Sequence, residues 1–463
     1  MTKKTSNRLF CCYNRNVMKL DILKGHPKGL YLLFCVEMWE RFSYYGMRAL
    51  LVLYMVQYLF AGMNKDVATQ YAGNIYGWYT GLVYLTPLVG GYLADRYLGQ
   101  RKCIATGTAM MSVGLFVLAF SVITQDVLYK NIFFVLGLIL MILANGFVKS
   151  NISTIVGMLY GEDKQKRDAG FTIFYMGINL GAFFSPLICG TLATMYGFQY
   201  GFMSAGIGVL IGFLIYKLGE KPLLQDCGLN PYTQVSKNSQ YEDRDLRLRE
   251  KRKLWALYIL MAFSVVFWLS YEQAGCSMAL FAENETNRAI TIFGNHFVMP
   301  SQYFQSLNPL FIVTFAPIMS ILWEFLHFHK KEPTSVQKFT IGLGLISIAY
   351  LVMAVAAHYS VSSLVSPLWL IAAFWVATIA ELCISPIGLS LVTKLAPVKF
   401  ASLIMGCWFL SSFIGNLGAG VFAGFYEKMS HSVFFAILAF NSAIVCLILA
   451  LLIPLLKKWM GKS

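Results

Sequence analysis

Apolar runs of membrane-spanning length alternate with short polar connections along almost the whole chain. Twelve runs of roughly 20–30 residues are long enough to cross a bilayer as helices. They lie near residues 30–60, 70–94, 103–122, 131–157, 169–193, 199–217, 254–281, 303–327, 337–357, 367–394, 402–426 and 433–456. The pattern therefore predicts an all-α polytopic membrane protein. Residues 218–253 are the one long polar stretch, with two prolines, mixed charge and room for a short surface helix. They divide the chain into a tail (1–28), a six-helix bundle (29–217), a linker (218–253), a second six-helix bundle (254–456) and a second tail (457–463). A weak internal repeat agrees with this division. Asn179-Leu-Gly-Ala in span five recurs as Asn416-Leu-Gly-Ala in span eleven, and Ser153 recurs as Ser390 at the same offset. Two related halves around a site near the membrane midplane is a transporter architecture.

Composition sharpens this picture. Hydrophobic residues make up 57% of the 463 and charged residues only 13%. The net charge of +15 would suggest nucleic acid if it were clustered, but it follows topology. With loops assigned alternately to two sides, about 30 of the 37 Lys and Arg residues fall on the side of the termini and 4 on the other. Both termini are expected to be cytoplasmic, in an inner or plasma membrane. No nucleic-acid partner is expected. Residues 1–28 lack the apolar core of a cleavable signal peptide. The ten cysteines form no Cys-x-x-Cys pair and read as packing residues. Cys11-Cys12 reads as a reduced tail, with acylation as the alternative.

The first span breaks the apolar rule. Glu37, Glu40, Arg41 and Arg48 put four charges into it, and with Tyr44 and Tyr45 they fall on one helical side. Facing lipid at mid-membrane, each charge would cost roughly 2.5–3.5 kcal/mol. The stripe must face other helices or a water-filled cavity, and Glu37 and Arg41 are spaced to pair. Lys149 and Glu381 are further ionisable groups at membrane depth. At the end of span two, Gly90-Gly-Tyr-Leu-Ala-Asp-Arg-Tyr-Leu-Gly-Gln-Arg-Lys resembles the loop signature of the major facilitator superfamily. There Asp95 and Arg96 are candidate latches of one conformation.

Further motifs resemble the proton-dependent oligopeptide transporters of that superfamily. They are Glu37-x-x-Glu40-Arg41 with Phe42-x-Tyr44-Tyr45-Gly46, Phe174-Tyr175-Met-Gly-Ile-Asn179-Leu-Gly181, and Gly146-Phe-Val-Lys149-Ser150-Asn151, where Ser150 replaces the usual proline. Glu272-Gln273, Asn308-Pro309, Glu381-x-x-x-Ser385-Pro386 and Gly406-x-Trp408-Phe409 also fit. The resemblance implies a major facilitator fold of twelve helices and proton-coupled uptake of di- and tripeptides by alternating access. A short peptide is a zwitterion with fixed ends and variable side chains. Arg41 and Lys149 are the candidate carboxylate anchors, since an Arg fork suits a carboxylate. Glu381 is the candidate amine anchor, assisted by Asn179 and Asn308. Tyr44, Tyr45, Tyr84 and Trp408 would supply pocket walls. Glu37, Glu40 and Glu272 are the candidate proton-coupling carboxylates. The resemblance implies that Glu272 pairs with Arg48 to close the outer side, and that Lys149 and Glu381 pair during gating.

Alternatives stay open at this level. Lys149 could be a structural partner of Glu381, the asparagines interhelical hydrogen-bonders, the aromatic residues packing, and the intramembrane prolines, Pro309 among them, kinks. Another small substrate such as nitrate or a drug, or a non-transporting sensor, are the competing functions. An enzyme is not expected: His-Glu-x-x-His, Gly-x-Ser-x-Gly and phosphate-loop motifs are absent, and Gly206-x-Gly-x-x-x-Gly212 reads as helix packing. A monomer without cofactor or metal, acting on peptide and protons in the bilayer, is the expectation. Gly77 stands where animal members of the resembled family have a proton-linked histidine, and the large outer domain of those members is missing. These departures indicate the bacterial type, without the extra helix pair that many bacterial members insert. Asn284-Glu-Thr286 forms a glycosylation sequon.

Overall fold

The computed structural model describes residues 25–161, 164–231, 244–292, 295–395 and 401–460. Twelve long helices dominate them: α1 (Lys28–Tyr54), α2 (Lys65–Leu93), α3 (Gln100–Ile123), α4 (Val127–Met158), α5 (Lys164–Tyr196), α6 (Phe198–Leu224), α7 (Arg244–Tyr271), α8 (Leu307–Phe328), α9 (Ser335–Tyr359), α10 (Leu368–Leu395), α11 (Ala401–Ala423) and α12 (His431–Met460). Ten membrane-length segments of the described chain are apolar enough to cross a bilayer. The other two long helices are α1, with its four charges, and α2, rich in glycine and tyrosine. Local chemistry sets several ends. Asp126 caps α4 by accepting from the Leu128 and Tyr129 amides at 2.8 and 3.1 Å. Thr334 and Gln337 form a capping box at α9.

Helix pairing repeats between the halves. α1–α5, α1–α6, α2–α4, α3–α4 and α3–α6 pack together, and so do α7–α11, α7–α12, α8–α10, α9–α10 and α9–α12. Asn179 and Asn416, the repeated asparagines, both donate to the carbonyl four residues earlier, at 2.9 and 2.8 Å.

Several boundaries differ from the sequence reading. α6 continues to Leu224 and α7 begins at Arg244, so the connection between the halves is shorter than 218–253. Its first turn is docked: Arg101 of α3 donates to the carbonyls of Cys227, at 2.8 Å, and Gln225. Residues 232–243, most of the N-terminal tail with Cys11 and Cys12, and 461–463 lie outside the described residues. Pro309 does not kink α8; it sits in its first turn, where a missing N–H costs nothing. Pro87, Pro186, Pro317 and Pro386 are inside helices. The connection after α7 holds a short helix (Ser277–Asn284) and a hairpin of β1 (Ala289–Ile292) and β2 (Asn295–Val298), in register Ala289↔Val298. In the sequon, Thr286 is buried and its hydroxyl donates to Phe281 O.

The halves meet at one face. The first part of α2 crosses the last part of α11, and α5 packs on α8 and the turn before it. Glycines permit the α2–α11 crossing. A Cβ on Gly77 would lie 2.9 Å from Gly420 Cα and 3.0 Å from Asn416 O, which explains why a histidine has no room there. Lys65 pairs with Glu427 at 3.1 Å, and Lys428 donates to Gln70 at 2.7 Å, tying the halves beside this crossing. Among the described residues no comparable crossing joins α4 to α10 or α11 at the face where α1 begins and α12 ends. Among the described residues, then, a close crossing joins the halves at the former face and not at the latter.

Candidate functional site

Between the halves lies a cavity of about 340 Å³. From the first half it is lined by Glu37, Arg41, Tyr45 and Arg48 of α1, Tyr84 of α2, Lys149 of α4 and Asn179 of α5. From the second it is lined by Tyr271 and Glu272, Asn308 of α8, Glu381 of α10 and Trp408 of α11. The charges are divided. Every basic side chain on the wall belongs to the first half, and the second half contributes only carboxylates.

Helical spacing brings the first-half charges together. Arg41 Nε lies 3.0 Å from Glu37 Oε1 and 2.5 Å from Glu40 Oε2, and all three side chains are buried. These are ion-pair distances without hydrogen-bond alignment: Arg41 Nε and Glu40 Oε2 are buried with no hydrogen-bond partner among the described residues, as are Arg41 Nη2 and Glu37 Oε2. A guanidinium on a cavity wall is a ready donor to a substrate carboxylate. Lys149 Nζ sits 4.0 Å from the centre of the Tyr84 ring, a cation–π contact. Nearby, Arg48 crosses between halves. Its Nη2 meets Glu272 Oε2 at 2.5 Å and its Nε donates to Tyr76 OH at 2.7 Å.

On the opposite wall Glu381 Oε2 accepts from Tyr271 OH at 2.5 Å and from Asn308 Nδ2 at 3.0 Å. Asn308 also donates to Tyr271 OH at 2.7 Å. Trp408 is almost fully buried and meets Phe339 edge-on.

The structure also departs from the expected site. Tyr44 is not on the cavity wall; its ring is buried between Tyr45 and Tyr79. Glu40 lies behind Arg41, fully buried, so it reaches the cavity only through that guanidinium. Lys149 and Glu381 are not paired in this conformation, since each has other neighbours on its own side. Asp95 and Arg96 are far from the cavity, in a widened π-type turn after α2. Asp95 accepts from Gln100 at 2.7 Å and Arg96 donates to Tyr92 OH at 3.0 Å, so neither latches to the opposite half among the described residues. The glycines of that signature have a clear purpose: a Cβ on Gly90 would lie 1.9 Å from Gly146 O, where α2 crosses α4.

Tyr271, Trp268 and Tyr175 line the cavity without having been singled out. Tyr175 lies inside the Phe174-Tyr175 motif and Tyr271 beside Glu272, and adjacency to those motifs was the only available signal.

A twelve-helix, two-half protein with a polar cavity between the halves is a membrane transporter of the major facilitator type, and a multi-pass integral membrane protein. The chain belongs to the POT family, whose sequence profile matches residues 101–240 and 230–445. It is 34% identical to the uncharacterized transporter YclF of Bacillus subtilis over 94% of this chain and 95% of that one. It is 33% identical to a di-/tripeptide transporter of Lactococcus lactis, over 94% and 97% respectively. Among solved structures it resembles a mutant peptide transporter POT in complex with alafosfalin, with 31% identity, a TM-score of 0.84, and coverage of 95% of this chain and 97% of that one.

Proposed function

We propose that this protein carries di- and tripeptides across the membrane together with protons, by alternating access. The single observation that supports this most is the division of charge across the cavity. Arg41 and Lys149 on one wall and Glu381 on the other suit a zwitterion whose carboxylate and ammonium lie a short backbone apart. Aromatic side chains between them offer tolerant contact to variable side chains. Nitrate would need no carboxylate on the far wall, which favours peptide over that alternative.

Coupling follows from charge balance. Glu37, Glu272 and Glu381 on the wall and Glu40 behind Arg41 stand with Arg41, Arg48 and Lys149, one carboxylate in excess. A buried net charge is costly, and one proton removes it. A peptide carboxylate that engages Arg41 competes with Glu37 and Glu40 for the guanidinium, so proton and peptide binding favour each other. The charge bias of the loops supports a cytoplasmic position for both termini. The closed face is then the outer one, with Arg48–Glu272 and Lys65–Glu427 among its ties, and the conformation is inward-facing.

The test is uptake of labelled dialanine into liposomes containing the purified protein, with and without an inward proton gradient. Gradient-driven accumulation that is lost in Glu381→Gln is the expected result. A folded wild type that accumulates no peptide under any gradient overturns the proposal.

A further inference from the structure

Helix α7 ends at Tyr271 and a tighter turn, Glu272–Gly275, follows. Consecutive helical residues point about 100° apart, and here they face different halves. Glu272 reaches Arg48 of α1, while Tyr271 reaches Glu381 of α10. The phenol O–H donates to Glu381 Oε2, and Asn308 donates both to that same oxygen and to the phenolic oxygen. α7, α8 and α10 are thereby joined in one closed ring of hydrogen bonds. The phenol is fixed in place: Phe267 stacks on it at 5.5 Å and Trp268 meets it edge-on at 5.6 Å.

This ring loads one oxygen of Glu381 and leaves the other. Oε2 takes both donors; Oε1 accepts no hydrogen bond among the described residues, and the side chain lines the cavity. A carboxylate has about four acceptor sites, so the unloaded oxygen is open to a cationic donor. We infer that Tyr271 is a positioning residue for the amine anchor. It holds Glu381 with Oε1 toward the cavity, so that the protein selects substrates with a free N-terminal ammonium over N-blocked ones. The inference rests on the peptide reading above. It adds that the selecting element sits one residue from the Arg48–Glu272 tie, at the end of α7 where amine recognition adjoins closure of the outer face.

The experiment uses Tyr271→Phe, which keeps the ring contacts and removes only the hydroxyl. Uptake of labelled dialanine into liposomes is competed with unlabelled dialanine and with N-acetyl-dialanine, for wild type and variant. A hydrogen bond to a charged group is worth about tenfold or more in affinity. The expected result is that apparent affinity for dialanine falls by about tenfold while that for the N-acetyl form stays unchanged, so the preference for the free amine collapses. A preference equal to that of wild type, whether neither affinity or both have moved, overturns the inference. Ligand-induced thermal stabilisation of purified protein gives the same ratio without transport and covers a variant that binds but does not cycle. Failure of the peptide reading looks different: wild type itself neither accumulates dialanine nor is stabilised by it, and the inference falls with it. If wild type transports and Glu381→Gln does not, while Tyr271→Phe keeps the wild-type ratio, only the inference fails.

Discussion

At the scale of single residues the site depends on the shape of Arg41 as much as on its charge. Its planar fork touches Glu37 and Glu40 with Nε and leaves Nη2 unpaired. A lysine is a point charge on a flexible stem and lacks the planar fork of donors that binds a carboxylate at two points. Arg41→Lys is therefore expected to lower kcat/KM for dialanine by at least about tenfold, with the protein still folded by size-exclusion profile. Uptake at the wild-type rate would show that the guanidinium geometry is dispensable. The intramembrane charges were legible in the sequence because an ionisable side chain at membrane depth stands out against lipid-facing neighbours. Tyr271 was not: it is one tyrosine among 26, and only its contact with Glu381 distinguishes it.

At the scale of elements the α2–α11 crossing is the feature on which closure depends. Gly77 and Gly420 let two backbones touch, and any side chain there must push them apart. Overpacking of this kind costs about 1–3 kcal/mol against the conformation that needs the contact. Gly77→Val is expected to shift the population away from the state closed at this crossing and slow proton-driven uptake by roughly tenfold. Labelling of a cysteine introduced in the first turn of α2 measures the shift, and unchanged labelling and uptake would refute it. The spans themselves were readable from hydropathy, because an apolar run of bilayer length has few other uses. The extension of α6 to Leu224 was not, since its last turns are polar and the turn after it is held by Arg101 through the carbonyls of Gln225 and Cys227, which any sequence would offer.

At the scale of the whole molecule the face that carries the α2–α11 crossing is held by ties between segments remote in sequence. Glu285 follows the short helix after α7 and binds Ser360 at 2.5 Å, Tyr426 at 2.8 Å, and His431 at the start of α12. Burial pushes the Glu285 carboxyl up, but these partners outweigh it and hold the carboxyl below its ordinary value of 4.5. A group with a lowered folded value contributes stability above its unfolded value and loses it as pH falls through the folded one. Glu285→Gln should thus lower the melting temperature of the detergent-solubilised protein at pH 7, and the difference from wild type should shrink as pH falls below about 4.5. A difference that does not depend on pH would show that the carboxylate charge is irrelevant. Across the halves, Glu272→Gln weakens the Arg48 tie and is expected to increase labelling of cysteines introduced at the face of the α2–α11 crossing. Labelling equal to wild type would mean that the α2–α11 crossing suffices for closure.

The sequence alone determined the number of spans, their two-half arrangement and the identity of most charged cavity residues. Each of these follows from one physical fact: hydrocarbon tolerates neither unpaired charge nor unpaired backbone, so exceptions to apolarity are visible in one dimension. Only the tertiary structure decided which exceptions meet. It separated Tyr44 and Glu40 from the cavity wall, kept Lys149 apart from Glu381, sent Asp95 and Arg96 to a distant turn, and put Tyr271 on Glu381. Those outcomes depend on helix rotation and on crossings set by glycines on two helices at once, and a single periodic pattern holds no information about its partner.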